Sequence, residues 1–368
     1  MLQPDKTKIC LVGDCLSGGG SERAHAFLST YFVSQGIEIH NVIVLDLVSY
    51  HFAGELLNLG LLKDEKNGFN NKLKRFKVLR NYIKQHKFDY VIDFRMRTKT
   101  LQDFLISRLV FTVPTVYTVH SYCLDWYMPK QPWLTRTIYN SAYGVVSITF
   151  KIKELIEKKH GLKNIVNIYN PVNINYISSR LKEGILSLDF QYIIAAGRMA
   201  DNNIKQFDKL LTAYANSVLP SNNVKFIILG EGNQKNNLEK LSLQMGLGDK
   251  IIFKGFEENP YLYMQKALFY VLSSKNEGLP MVLLESLACG TPVVSFNCFS
   301  GPSEIIEDRV NGLLIENQNV TKLTEGINLM FEDKDLYANC KTNAVKSITK
   351  FSLENIGSQW MEFLKIKN

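Results

Sequence analysis

Short runs of β-branched and aromatic residues recur at helix-length intervals along most of the chain, and this alternation limits the fold more than any single residue does. In the first half the runs are KICLVG (8–13), IHNVIVL (39–45), YVIDF (90–94), TVPTVYTVH (112–120) and GVVSITF (144–150). Strands separated by helical segments pair in parallel through crossover helices, so the pattern predicts an α/β protein. The period lapses after IYNPVN (168–173) and restarts at YIIAAG (192–197), followed by VKFIILG, KIIFKG, LFYVLSS, TPVVSF and NGLLI. The chain is therefore read as two doubly wound domains, 1–172 and 190–350, joined by a connection over 171–190 and facing each other across a cleft. With 368 residues, 46% of them hydrophobic, each domain has enough apolar material for its own core. No repeat of 20 to 50 residues points to a solenoid.

Charge is unevenly distributed. Residues 1–185 hold 25 Lys+Arg against 15 Asp+Glu, while 186–368 hold 18 against 20. A basic first half favours an anionic partner such as a phospholipid surface, a phosphorylated carrier or nucleic acid. The six cysteines form no C-x-x-C pair and have no histidine at metal spacing, so they read as buried thiols. No apolar run reaches membrane-spanning length and the opening residues run straight into a strand pattern, which gives a cytoplasmic expectation.

Open parallel sheets bind ligands beyond the carboxyl ends of their strands. The polar and glycine-rich segments lie there: GDCLSGGGSER, VHSY, GRMADNNIK, GEGN and SSKNEGLP. In NEGLPMVLLESLACGTPVV, Glu277 sits in a turn and Glu285 among Val282, Leu283, Leu284 and Leu287, where a carboxylate is costly to bury unless a ligand or partner takes its hydrogen bonds. Pro280 suits a helix start, and the segment Gly278, Leu279, Pro280, Met281, Val282 would bring backbone N–H groups to an anion. Arg198 and Lys205 are placed to neutralise a diphosphate. Gly18, Gly19 and Gly20 allow close approach of backbone to phosphate. Asp46, at the end of the second strand, invites a dinucleotide reading, but Gly18-x-Gly20-x-x-Arg23 lacks the third glycine of that fingerprint.

Glu277, seven residues and Glu285, within EGLP and ESLACGTPVV, resemble the signature of retaining glycosyltransferase family 4. The resemblance extends to the Gly-Gly and Glu-Arg of 13–23, IYNPVN, LGEGNQ (229–234, with Gly232), GFEENPY and SGPSEIIEDRVNGLLI. It implies the GT-B fold of two Rossmann-like domains. It also implies that Glu285 binds the ribose of a nucleotide sugar, that Glu277 contacts the transferred sugar, and that His120 points at that sugar. In the family four residues intervene between the Arg and the Lys, whereas six intervene between Arg198 and Lys205 here. The resemblance places base recognition around 231–257 and a last helix, within 351–366, on the first domain. Ser352 reads as its cap, with Ile356, Trp360, Phe363 and Leu364 on one face.

The function expected is retaining, metal-independent transfer from a nucleotide sugar, most simply a UDP-sugar, to a lipid-linked or oligosaccharide acceptor in bacterial surface polysaccharide assembly. No cofactor and no nucleic acid are expected. Asp333-Lys334-Asp335 mimics a metal motif but falls between helical patterns, where capping explains it. For the acceptor side, Arg95, Arg97 and Lys99 are read as cations facing a lipid diphosphate. Trp126 and Trp133, with the lysines of NNKLKRFKVLRNYIKQHK (70–87), are read as a seat on the inner membrane face. The apolar stripe of that helix is read as facing the sheet. A nucleotide-sugar epimerase of the same fold, or a nucleic-acid binder, are the competing readings.

Overall fold

The structure, a computed structural model, describes residues 6–66 and 68–366. The chain divides into two compact units, one reaching Pro171 and resuming at Leu353, the other Val172–Ser352.

The first unit holds seven strands: β1 (Lys8–Gly13), β2 (Glu38–Ile43), β3 (Glu55–Asn58), β4 (Tyr90–Asp93), β5 (Thr115–Val119), β6 (Gly144–Ser147) and β7 (Ile165–Asn167). All pair in parallel in the order β3-β2-β1-β4-β5-β6-β7. The sequence pattern missed β3 and β7, short edge strands whose burial is incomplete. The core joins Ile9, Leu11, Leu28, Phe32, Ile92 and Val116 to Ile356, Trp360, Met361 and Leu364 of the closing segment. That Leu353–Phe363 helix begins directly after Ser352 and packs on the Gly20–Ser34 helix. Its end is tied down by Tyr143, whose hydroxyl donates to Phe363 O at 3.0 Å, and Tyr90, which donates to Leu364 O at 2.6 Å.

The second unit holds β8 (Tyr192–Ala196), β9 (Lys225–Leu229), β10 (Ile251–Gly255), β11 (Tyr270–Leu272), β12 (Val293–Phe296) and β13 (Gly312–Ile315). These are the six runs expected from sequence, again all parallel, in the order β10-β9-β8-β11-β12-β13. Inside 171–190, which the sequence gives no clear period, Ile174–Arg180 is a helix capped by Asn173 and packed on the Pro260–Lys266 and Met281–Ala288 helices. In each unit the strand order reverses at one point, between β1 and β4 and between β8 and β11. Crevices at such reversals are where open α/β sheets take ligands.

Candidate active site

The chain leaving β11 and the chain leaving β8 meet at the second unit's reversal. Glu277 stands five residues after β11, and its Oε1 accepts from Lys205 Nζ at 2.6 Å and Ser274 Oγ at 2.6 Å. Both Lys205 and Glu277 are mostly buried, so this charge-assisted pair is far less screened than one in open water. Oε2 of Glu277 has no hydrogen-bond partner among the described residues. Two backbone bonds hold the Glu277 turn, from Glu277 N to Phe299 O and from Ser300 N to Glu277 O, each 3.0 Å. Ser273 Oγ donates to Lys205 O at 2.8 Å and Lys275 N to Ile204 O at 2.8 Å, fastening the Lys205 loop to the strand end. The two extra residues between Arg198 and Lys205 therefore do not keep Lys205 from its acid.

Met281–Ala288 is helical with Pro280 at its cap position and no side-chain cap. Leu283 N already donates to Pro280 O at 3.0 Å, while the amides of Met281 and Val282 ahead of it lie at the open helix start. Glu285 lies one turn further on, only 5% exposed. Burial pushes the Tyr270 phenol up, opposed by its bond to Ala196 and aided by the charges of Glu277 and Glu285. The Tyr270 hydroxyl is bonded to both Ala196 N and Ala196 O at 2.9 Å, locking β8 to β11 beneath them.

Arg198 is exposed and, among the described residues, makes no ion pair. It lines a depression with Lys205, Asp201, Asn203 and Gln234. Asp201, which the sequence did not single out, accepts from Asn233 and Gln234 and so joins this loop to the one carrying Gly232. At Gly232 (φ +155°) a Cβ would strike Met199 backbone, so this glycine serves a close crossing of two chains.

In the first unit, Gly18 turns with φ +86° and Gly19 precedes the Gly20–Ser34 helix. The Glu22 carboxylate folds back over Gly19, where a Cβ would meet it. Burial raises both Glu22 and Asp14 above the usual carboxylate range. The helix start thus already carries an acid where the sequence reading put phosphate. His120 follows β5 with its Nε2 2.9 Å from Thr118 Oγ1. Because the Thr118 hydroxyl donates to Asp93 O at 3.1 Å, the imidazole must donate from Nε2, leaving a lone pair on Nδ1, which is buried with no hydrogen-bond partner among the described residues. Burial, with a smaller push from Arg97 and an opposing contact from Asn170, takes His120 down to about 3, so the ring is neutral.

Arg95 and Arg97 correct the sequence reading. They are 5% and 3% exposed and serve the fully buried Asp93 at the end of β4. Arg95 clasps it with Nε and Nη2, both at 2.8 Å. Arg97 donates to the carbonyls of Arg95 and Thr118 and lies among the rings of Tyr117, Tyr127 and Tyr139. A buried carboxylate needs such compensation, and the alternation Asp93, Arg95, Arg97 supplies it from one side of the chain. Lys99, Trp126 and Trp133 are exposed. Asp333 accepts from Leu336 N at 2.9 Å, a helix cap as expected. Among the described residues no group of three His, Cys, Asp or Glu could hold a metal ion.

Two parallel-sheet domains, each with its ligand loops at a strand-order reversal, define the GT-B class. A solved structure of Anabaena Alr3699/HepE in complex with UDP superposes with a TM-score of 0.78 over 98% of this chain and 100% of that one, at 18% identity. Family models match end to end: Glycosyltransferase Family 4 over residues 18–176 and Glycosyl transferases group 1 over 180–347. The chain belongs to glycosyltransferase family 4. An uncharacterized glycosyltransferase of Haemophilus influenzae is 29% identical over 60% of each chain. N-acetylgalactosamine-N,N'-diacetylbacillosaminyl-diphospho-undecaprenol 4-alpha-N-acetylgalactosaminyltransferase of Campylobacter jejuni is 33% identical over 54% of this chain and 52% of its own. The chain thus spans between half and three fifths of these two relatives.

Proposed function

We propose that the protein moves a sugar, with retention and without a metal ion, from a UDP-sugar to a lipid-linked or oligosaccharide acceptor in bacterial surface polysaccharide assembly. The observation that carries this reading is the constellation at the β8/β11 reversal: a lysine-paired Glu277 with one free oxygen, a buried Glu285 one helical turn past an uncapped helix start, and an uncommitted Arg198. Glu285 takes the ribose hydroxyls, and Arg198 with the Met281 and Val282 amides takes the diphosphate as its charge grows. Free Oε2 of Glu277 accepts from a sugar hydroxyl, and Lys205 holds that carboxylate in place. The C1–oxygen bond to the diphosphate breaks with oxocarbenium character, the acceptor oxygen bonds to C1 on the same face, and the acceptor proton leaves with the diphosphate. The Anabaena structure, described as a complex with UDP, supports the choice of base. The Campylobacter relative's name supports a polyprenyl diphosphate acceptor, and such a membrane-held acceptor supports a seat on the cytoplasmic membrane face.

Incubation with UDP-sugars and short polyprenyl diphosphate-linked sugars in EDTA tests the reading by NMR of the product. A new linkage with the donor's anomeric configuration is expected. Inversion, a requirement for manganese, or conversion of donor without acceptor would each contradict it.

A further inference from the structure

Leu101, Leu105 and Leu109 recur every four residues along the Thr100–Leu105 helix and the π-helical turn Ile106–Val110 that continues it, and all three are exposed. The Phe69–His86 helix packs against both that turn and the 3-10 turn Leu59–Leu62. These two elements add Phe69, Leu73 and Leu61, of which Phe69 is 79% and Leu61 70% exposed. The core is served by other residues of the same segments: Leu59, Leu79, Ile83, Ile106 and Val110. Six large apolar side chains on these four elements are therefore left exposed to solvent.

Charge says what covers them. The Phe69–His86 helix carries six Lys+Arg and no Asp or Glu. Its Lys72, Lys74, Lys77, Arg80 and Lys84 are exposed and, among the described residues, form no ion pair. Lys99 stands exposed just ahead of the leucine row. A second copy laid on this face would bring the same uncompensated cations together, whereas an anionic bilayer neutralises them. We propose that this face seats the protein on an anionic lipid surface, with the leucines and Phe69 entering the headgroup boundary and the lysines taking lipid phosphates. The patch around Trp126 and Trp133 is a poorer seat, because its Lys130 and Lys159 are already occupied by Asp125. The inference sharpens the membrane part of the proposed function and is independent of the donor site.

Sedimentation of the full chain with phosphatidylcholine vesicles, with and without phosphatidylglycerol, tests it. Binding only to the anionic vesicles, weakened by salt, is expected. Lys72→Gln/Lys74→Gln/Lys77→Gln should lower the partition coefficient by about a hundredfold, near fivefold per cation. Leu101→Ser/Leu105→Ser/Leu109→Ser should lower it at least about tenfold. Both variants change exposed side chains, and an unchanged melting temperature verifies their fold. Trp133→Ser and Glu285→Ala should bind as the wild type does, which separates this surface from donor binding. Failure of the wild type to bind, equal binding to neutral vesicles, or wild-type partition of both triple variants would overturn the proposal. So would light scattering that shows a dimer dissolved by the leucine changes.

Discussion

Glu277 and Glu285 lie eight residues apart, yet their surroundings divide their work. Glu285 is buried and is the proposed ribose acceptor, so Glu285→Ala should weaken nucleotide binding about a hundredfold, the loss of two charge-assisted hydrogen bonds. Glu277→Gln should leave nucleotide affinity within a few-fold and reduce transfer about a thousandfold, because the proposed role of its second oxygen is to accept from the transferred sugar, while Oε1 is held by Lys205. Calorimetry and steady-state rates on both variants separate the two roles. His25 supplies a pH prediction. It is fully buried, and burial, opposed by its bond to Asn41, lowers it to about 4. Between about 6.5 and 4 the unfolded chain binds a proton that the folded one refuses, so this group's stabilisation, about 3 kcal/mol, is full above that window and lost as pH falls through it. Asp103, raised to about 6 by burial, acts in the opposite sense, its folded form gaining a proton first as pH falls. Urea midpoints measured across that window should therefore fall less steeply in His25→Gln than in wild type; parallel slopes would contradict the burial argument.

Two helices carry predictions of their own. The Leu353–Phe363 helix lies so close to the Gly20–Ser34 helix that a Cβ at Gly357 would collide with the Tyr31 ring. Gly357→Val should cost about 1–3 kcal/mol by overpacking, and Trp360→Ala about 3–5 kcal/mol by cavity formation, both read from denaturant midpoints. At the Lys334–Ser347 helix, Asp333→Ala should cost about 1 kcal/mol as a lost cap and leave transfer rates unchanged. A rate that fell and recovered with added manganese would restore the metal reading of that motif.

Across the whole molecule, the parts legible in sequence were those fixed by period and short-range chemistry. Eleven strand runs, the reversal-point loops, the acid pair and the Asp333 cap all follow from local pattern. What stayed hidden depends on long-range burial. Arg95 and Arg97 look like free cations until Asp93 is seen to lie fully buried beside them. Lys205 looks displaced by an insertion until folding brings it to Glu277 across 72 positions of sequence. Leu73 and Phe76 begin an apolar stripe that reads as core-facing, yet only its later part, Leu79 and Ile83, is buried. β3 and β7 escaped because edge strands bury too little to write a pattern. No helix among the described residues is long and apolar enough to cross a membrane. The central claim is the donor site at the β8/β11 reversal. It is tested most directly by calorimetric titration of UDP, in EDTA, into the wild type and Glu285→Ala. Saturable binding to the wild type, weakened about a hundredfold in the variant, is the result this account predicts; no binding to the wild type, or equal affinity in both, would contradict it.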